Sequence, residues 1–230
     1  MDKRTVWTEL GLSTVDKMLI WAIPPVLGGV LGWFLPVIAE WASSLPWVPF
    51  QGPLELVASL HGPWVALITA LLGLLAGMWL SHAAIRESLH VRLSDRELQL
   101  SVNGAEAVYT REDIFAAFLD GKELVLVGQQ GQELYRQKIE GKARLFTEEF
   151  LRHGYPWREG DPYADEYRRW VANSPELTAA MNALFEAREK ALREDDKDDA
   201  DDLRRELSKL GVTVRDEGKR QYWRLHGSRL

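Results

Sequence analysis

Two long stretches without a charged side chain constrain this chain more than anything else in it. Residues 18–39 form a run of 22 such positions and residues 62–85 a run of 24. A helix rises ~1.5 Å per residue, so either run can cross a hydrocarbon core of ~30 Å. The first run is too long for the apolar core of a signal peptide, and a second span follows it. Basic residues flank the pair on one side only. Lys3, Arg4 and Lys17 precede the first run, Arg86, Arg92 and Arg96 follow the second, and residues 40–61 hold no Lys or Arg. The positive-inside rule therefore predicts a multi-pass membrane protein with both termini cytoplasmic. Trp41, Trp47, Trp64 and Trp79 fall near the expected interfaces.

Small residues recur at helical spacing in both spans. Gly28 and Gly32 form one GxxxG, Gly73 and Gly77 another, and Ala66 and Ala70 extend the second face. Such faces let helix backbones approach closely. They suit packing of the two spans on each other, or a homodimer through the transmembrane helices. Pro24, Pro25 and Pro36 are expected to kink the first span or unwind its ends. No Asp, Glu, Lys or Arg lies inside either span, so they carry no proton relay or ion site and read as an anchor.

Past Arg86 the hydrophobic period changes from helical to alternating. Residues 90–93 and 97–102 read as strands, with Leu98, Leu100 and Val102 on one face. Asn103-Gly104 is a strong hairpin signal, and 105–109 is the return strand. Strands over 113–119, 123–127 and 132–137 follow, separated by Asp120-Gly121 and by 129–131. Residues 141–153 read as a helix with Leu145, Phe146 and Phe150 inward, ended by Gly154. A meander closed by one helix is the layout of a pleckstrin-homology-like (PH-like) antiparallel barrel. Residues 155–174 read as a linker with a short helix over 165–172.

The last segment, 175–230, reads as a helix–helix–hairpin unit. One helix is expected over 175–194, with Leu177, Met181, Leu184, Phe185, Arg188 and Leu192 recurring on one face. A second is expected over 198–210, with Ala200, Leu203, Leu207 and Leu210 inward, and then strands over 212–215 and 221–225. The predicted organisation is thus a cytoplasmic N-terminal segment (1–17), a transmembrane hairpin (18–87), a PH-like domain (88–154), the linker and the small C-terminal domain.

Two resemblances attach to these segments. The Pro24-Pro25-x-x-Gly28-Gly29 of the first span, the strand 124–128, Gly131-x-Glu133-Leu134 and Gly154-Tyr155-Pro156-Trp157 resemble the YqeB family of bacterial membrane proteins with a PH-like domain. The tail is similar to the extreme C-terminal domain of cysteinyl-tRNA synthetases. The likeness is carried by Ala187-Arg188, Ala191, Asp198, Ala200-Asp201, Leu203-Arg204, Leu207, Gly211-Val212, Val214, Asp216, Gly218 and Trp223-Arg224. That resemblance implies contact with the anticodon end of tRNA. The chain lacks the HIGH and KMSKS motifs and has no cysteine, so it is not itself a synthetase.

The residues weigh the implied functions unevenly. A headgroup site needs clustered basic residues, and Arg92, Arg96 and Arg111 alternate with Asp95, Glu97, Glu112 and Asp113. Residues 186–202 hold nine acids against four bases, which repels phosphate. Arg215, Lys219, Arg220 and Arg224, with Arg229 beyond them, surround Tyr222 and Trp223 and form the one candidate RNA-binding patch. No phosphate loop, HExxH or GxSxG is present, and the five histidines lack metal-ligand spacing, so no catalytic residue, metal or cofactor is implied. The acidic run from Glu194 to Asp199 lacks the glycine and spacing of a calcium loop. The reading is a non-enzymatic, membrane-anchored scaffold or adaptor with a cytoplasmic protein partner. A membrane-localised tRNA- or RNA-binding protein, acting through 203–230, is the alternative.

Overall fold

The computed structural model describes residues 6–43 and 63–227. Lys3, Arg4, Trp47, most of the loop between the spans and Arg229 lie outside the described residues. The chain divides into two compact units: 11–90 with 101–106, and the remainder.

The first unit is a helical hairpin of α1 (Thr14–Ser43) and α2 (Pro63–Glu87). Ser13 and Asp16 start α1 by exchanging hydrogen bonds: the Ser13 hydroxyl donates to Asp16 Oδ2 at 2.7 Å, and the Asp16 amide donates back to Ser13 Oγ at 3.2 Å. The GxxxG faces meet inside the chain. A methyl group on Gly28 would overlap the Gly73 carbonyl, one on Gly32 the Thr69 carbonyl, and one on Gly77 the Pro24 carbonyl. Ala70 Cα also lies against Gly32. Only residues without a side chain permit this approach.

The prolines neither break nor unwind α1, which is continuous through Pro24, Pro25 and Pro36. Proline has no N–H, so Pro24 leaves the Ile20 carbonyl without its helical donor. Ser81 of α2 reaches across the seam, its Oγ 2.6 Å from that carbonyl and 3.0 Å from its own helix's Gly77 carbonyl. Outward, the hairpin is apolar: only 6% and 17% of the two most apolar windows is buried within the chain. Both helices are long and apolar enough to cross a membrane.

The second unit begins before the hairpin. β1 (Thr8–Leu10) pairs antiparallel with β2 (His90–Leu93), with Glu9 opposite Arg92. The segment expected as a plain N-terminal tail thus supplies an edge strand, and the whole hairpin is inserted between two neighbouring strands. β3 (Glu97–Val102) and β4 (Ala105–Thr110) complete a sheet of order β1-β2-β3-β4. Asn103 and Gly104, both at positive φ, make the turn between them. β5 (Ile114–Asp120), β6 (Glu123–Gly128) and β7 (Glu133–Lys138) form a separate three-stranded meander.

The PH-like fold is therefore two sheets and not the closed barrel expected. Instead of a backbone ladder, β4 and β7 meet through side chains. Tyr109 Oη donates to the Leu134 carbonyl at 2.8 Å, and its ring lies edge-on to Tyr135. α3 (Ala143–Arg152) supplies buried Phe146 and Phe150, while Leu145 turns outward. Buried His153 fastens the end of this helix, with Nδ1 2.7 Å from Asp95 and Nε2 2.9 Å from the Thr8 hydroxyl. Residues 155–158 are not free linker. The Ala117 amide donates to the Pro156 carbonyl, and the Arg158 amide to the Ala117 carbonyl, which extends the free edge of β5.

The short helix expected over 165–172 is instead a 3-10 turn (Ala164–Glu166) followed by β8 (Arg168–Arg169). Two arginines and Trp170 gain more from a sheet edge, where Trp170 turns inward and stacks on Phe185 at 5.6 Å. α4 (Ala179–Glu194) starts later than expected, because Thr178 accepts the Met181 amide as its N-cap. α5 (Lys197–Lys209), capped by Asp196, precedes β9 (Val212–Glu217) and β10 (Arg220–Leu225). Leu210 follows α5 and is exposed instead of inward. The sheet order is β8-β10-β9, and Leu177, Phe185, Leu207, Val212, Val214 and Trp223 fill the core beside Trp170.

Arg188 sits in this core at 1% exposure. Its guanidinium donates two bonds of 2.7 Å to Asp216, one to Gln221 Oε1 and one to the Ala200 carbonyl, while Arg204 makes a further 2.7 Å bond to Asp216. Burial pushes the Asp216 pKa up. The bonds and charges of Arg188 and Arg204 outweigh it and hold the carboxyl below its usual value. Folding therefore favours the ionised form. The resulting stability is complete above the unfolded pKa of ~4 and is lost as pH falls through the depressed folded value.

Two predictions follow from these units. Ser81→Ala lowers the stability of the hairpin by about 1 kcal/mol and Gly73→Leu by more, while Leu75→Ala on the outward face changes little; unfolding of the micelle-bound protein measures this. Asp216→Asn strands Arg188 and costs about 3 kcal/mol at neutral pH. It also removes the loss of protection across α4 and β10 expected of the wild type as pH falls below about 4, read by hydrogen exchange.

Candidate functional site

The C-terminal sheet has two faces with different chemistry. Side chains directly opposite one another across antiparallel strands share a face. Trp223 pairs with Val214 and Arg168 on the side of the core helices, and is itself buried. Tyr222 pairs with Arg215 on one side and Arg169 on the other, giving a rank of Arg169, Tyr222 and Arg215 across the opposite face.

The six residues of the expected RNA patch are thus not brought together. Arg215, Arg220 and Tyr222 share the outer face, where Arg215 lies 5.9 Å from the Tyr167 ring and 3.7 Å from Glu217. Lys219 sits at the hairpin turn, its ammonium 3.2 Å from the Arg193 carbonyl and 3.5 Å from Asp195. Trp223 belongs to the core. Arg224 is buried at 3% exposure. Arg169 joins the outer face, and sequence reading missed it because β8 was taken for a helix.

Arg224 lines a polar concavity. Its Nη2 donates to the Gly131 carbonyl at 2.6 Å, in the turn between β6 and β7. Its guanidinium lies 4.1 Å above the Tyr163 ring and 5.5 Å from the Tyr167 ring. The Gly227 amide donates to the Gln130 carbonyl at 3.1 Å, so the end of the chain's last strand is tied to the same turn. Gln130, Gly131, Tyr163, Arg224 and Gly227 line a groove of about 500 Å³, together with Phe115 and exposed Glu166. Gly131 has φ +82°, and a side chain there would press on Tyr163 Oη and Arg224 Nη1.

Electrostatics in the groove are unusual for this protein. Burial raises the Tyr167 hydroxyl to about 12, with Asp161 adding to the rise and Arg224 opposing it. His226 is held below its ordinary value by burial and by the charge of Arg224, so it is neutral at pH 7, with Nδ1 3.0 Å from the Thr213 hydroxyl. Arg224 Nε is buried and has no hydrogen-bond partner. No carboxylate lies within 4 Å of the Arg224 guanidinium among the described residues. Sequence reading placed Arg224 in an exposed patch and missed Gly131, Tyr163 and Tyr167. The two tyrosines, four apart in a Pro- and Asp-rich stretch, were the available signal.

Comparison with known proteins agrees with this anatomy. A family model described as the YqeB-like bacterial PH domain matches residues 8–158, a span that starts at β1 and contains the inserted hairpin. A second, the cysteinyl-tRNA ligase anticodon binding domain, matches 174–224. The chain is 41% identical to the Bacillus subtilis (strain 168) protein named "Uncharacterized protein YqeB" over 218 residues, covering 94% of this chain and 91% of that one. No solved structure gives a significant match. A strand–hairpin–meander order, a closing helix and a synthetase-like tail, together with these matches, make this chain a member of the YqeB-like bacterial PH-domain family.

Proposed function

We propose that the protein is a non-enzymatic, membrane-anchored scaffold that presents a PH-like module and a synthetase-tail-like module on the cytoplasmic face. The pairing of β1 with β2 is the observation that carries this reading. These strands flank the hairpin in sequence and share one sheet, so both ends of the hairpin belong on one side of a membrane. The basic residues before α1 and after α2 make that side the cytoplasm. The outward apolar surface of the hairpin supports the bilayer as its surroundings, because such faces in water would be an aggregation hazard. The family is PH-like and brings no catalytic assignment with it. Buried Arg188 of the C-terminal domain is engaged with Asp216.

The RNA-binding alternative draws on the match of the tail to an anticodon binding domain and on the rank of Arg169, Tyr222 and Arg215. Against it, the Arg188–Asp216–Arg204 network ties up three of the residues that carry the synthetase likeness. The scaffold reading expects no salt-sensitive tRNA binding by the detergent-solubilised protein. An RNA-binding protein would instead show a steep salt dependence whose slope falls by about one for each of Arg169→Gln, Arg215→Gln and Arg220→Gln.

The topology has its own test. With no native cysteine, single cysteines at Ser44 and Gly160 can be labelled in intact cells and in inverted vesicles. Ser44→Cys is expected to react from outside only and Gly160→Cys, at an exposed position with open space around it, from inside only. Labelling of both from one side would overturn the arrangement.

A further inference from the structure

Among the described residues Arg188 and Arg224 are buried and Arg136 is nearly so, and their partners differ. Arg136 is held by Asp120, Glu123 and Glu133 at 2.8–3.0 Å. Arg188 is held by Asp216 through two 2.7 Å bonds. Arg224, at 3% exposure, has a carbonyl, two aromatic faces and no carboxylate within 4 Å among the described residues. A buried guanidinium without an anion costs several kcal/mol, and its Nε–H lacks any partner.

The surroundings of Arg224 suit an anion. Gly131 carries no side chain, and the place where its Cβ would stand is 3.3 Å from Tyr163 Oη and 3.4 Å from Arg224 Nη1. Only a glycine leaves Tyr163 and Arg224 this room at the wall of a groove of about 500 Å³. That volume is within the range of small-ligand sites. The side of a guanidinium forks naturally around two oxygens of one anion. A phosphate group carries more charge than a carboxylate near neutral pH and offers more acceptor oxygens to the fork and a tyrosine hydroxyl together. The opposing charges are Glu166, exposed on the groove lining, and Asp161 and Glu133 near Tyr167. His226 is neutral and adds no charge of either sign.

We propose that this groove binds a phosphate group, with Arg224 as its counter-ion and Tyr163 as a second donor, between the β6–β7 turn and the last strand of the tail module. The bond from Arg224 to Gly131 and that from Gly227 to Gln130 join the same two segments, so an occupant would tighten the junction between the PH-like sheet and the tail. The site stands independently of the scaffold reading and of its membrane topology.

The test uses the full chain in detergent micelles, titrated with inorganic phosphate, with acetate and chloride at matched ionic strength as controls and soluble dihexanoyl phosphatidate as a separate arm. Phosphate is expected to raise the melting temperature and to slow hydrogen exchange at 128–131 and 222–227, with acetate and chloride doing neither. Arg224→Gln should weaken binding at least tenfold, Tyr163→Phe about threefold, and Glu166→Gln should tighten it by a similar factor. If Arg224→Gln does not fold, the opposite shifts of the other two variants decide. Binding of both phosphate and phosphatidate, lost together in Arg224→Gln, supports a site for the group whatever carries it; phosphatidate alone supports a lipid headgroup. Protection by acetate equal to that by phosphate overturns the proposal, as does destabilisation by Glu166→Gln, which would make Glu166 the resident partner of Arg224.

Discussion

The pairing of Thr8–Leu10 with residues 91–93 is the constraint on which the rest of the architecture hangs. It makes a strand that precedes the hairpin the neighbour of a strand that follows it. The PH-like fold is thereby closed across an insertion of some eighty residues, and the hairpin becomes an excursion from a sheet edge, not an appended anchor. Closing so long a loop costs little more entropy than closing a loop of half its length. A three-residue strand can meet that cost because it is also held at its start: Thr8 faces His153, and Glu9 faces Arg92, which lies over Trp7.

Legibility in the sequence followed the strength of local signals. The spans, the Asn103-Gly104 turn, the strands through 138 and the helix ending at Gly154 were all readable, since each rests on periodicity or on a turn residue with one conformational purpose. The small residues Gly28, Gly32, Gly73 and Gly77 were readable as a packing face, and they pack as one within the chain. β1 was not legible. Three residues carry no period, and their partner lies eighty positions away. β8 failed for a related reason: Arg168 and Arg169 have no strand propensity to show, and only the empty edge of β10 recruits them.

At the candidate site, the sequence marked the right strand and misjudged its faces. Period-2 alternation sends Trp223 into the core and its neighbours Tyr222 and Arg224 to the other side, so a cluster in sequence becomes two separate environments. Arg224 is then buried by something sequence reading had no means to see, the approach of the β6–β7 turn and of Tyr163 from a stretch that looked like linker. Arg188 shows the opposite case. The sequence sets it on an apolar helical stripe and the structure buries it there, while its pairing with Asp216 across 28 positions was not legible.

The proline at position 24 has a consequence for how the hairpin reaches its final place. In water, the carbonyl it leaves bare at Ile20 would be solvated; in hydrocarbon it would stand unsatisfied at a cost of several kcal/mol. Its donor is Ser81, sixty-one residues further on. The first span is thus an unfinished structure while it is alone, completed only when the second arrives beside it. In a bilayer, the paired helices would satisfy that carbonyl where a lone first helix would not.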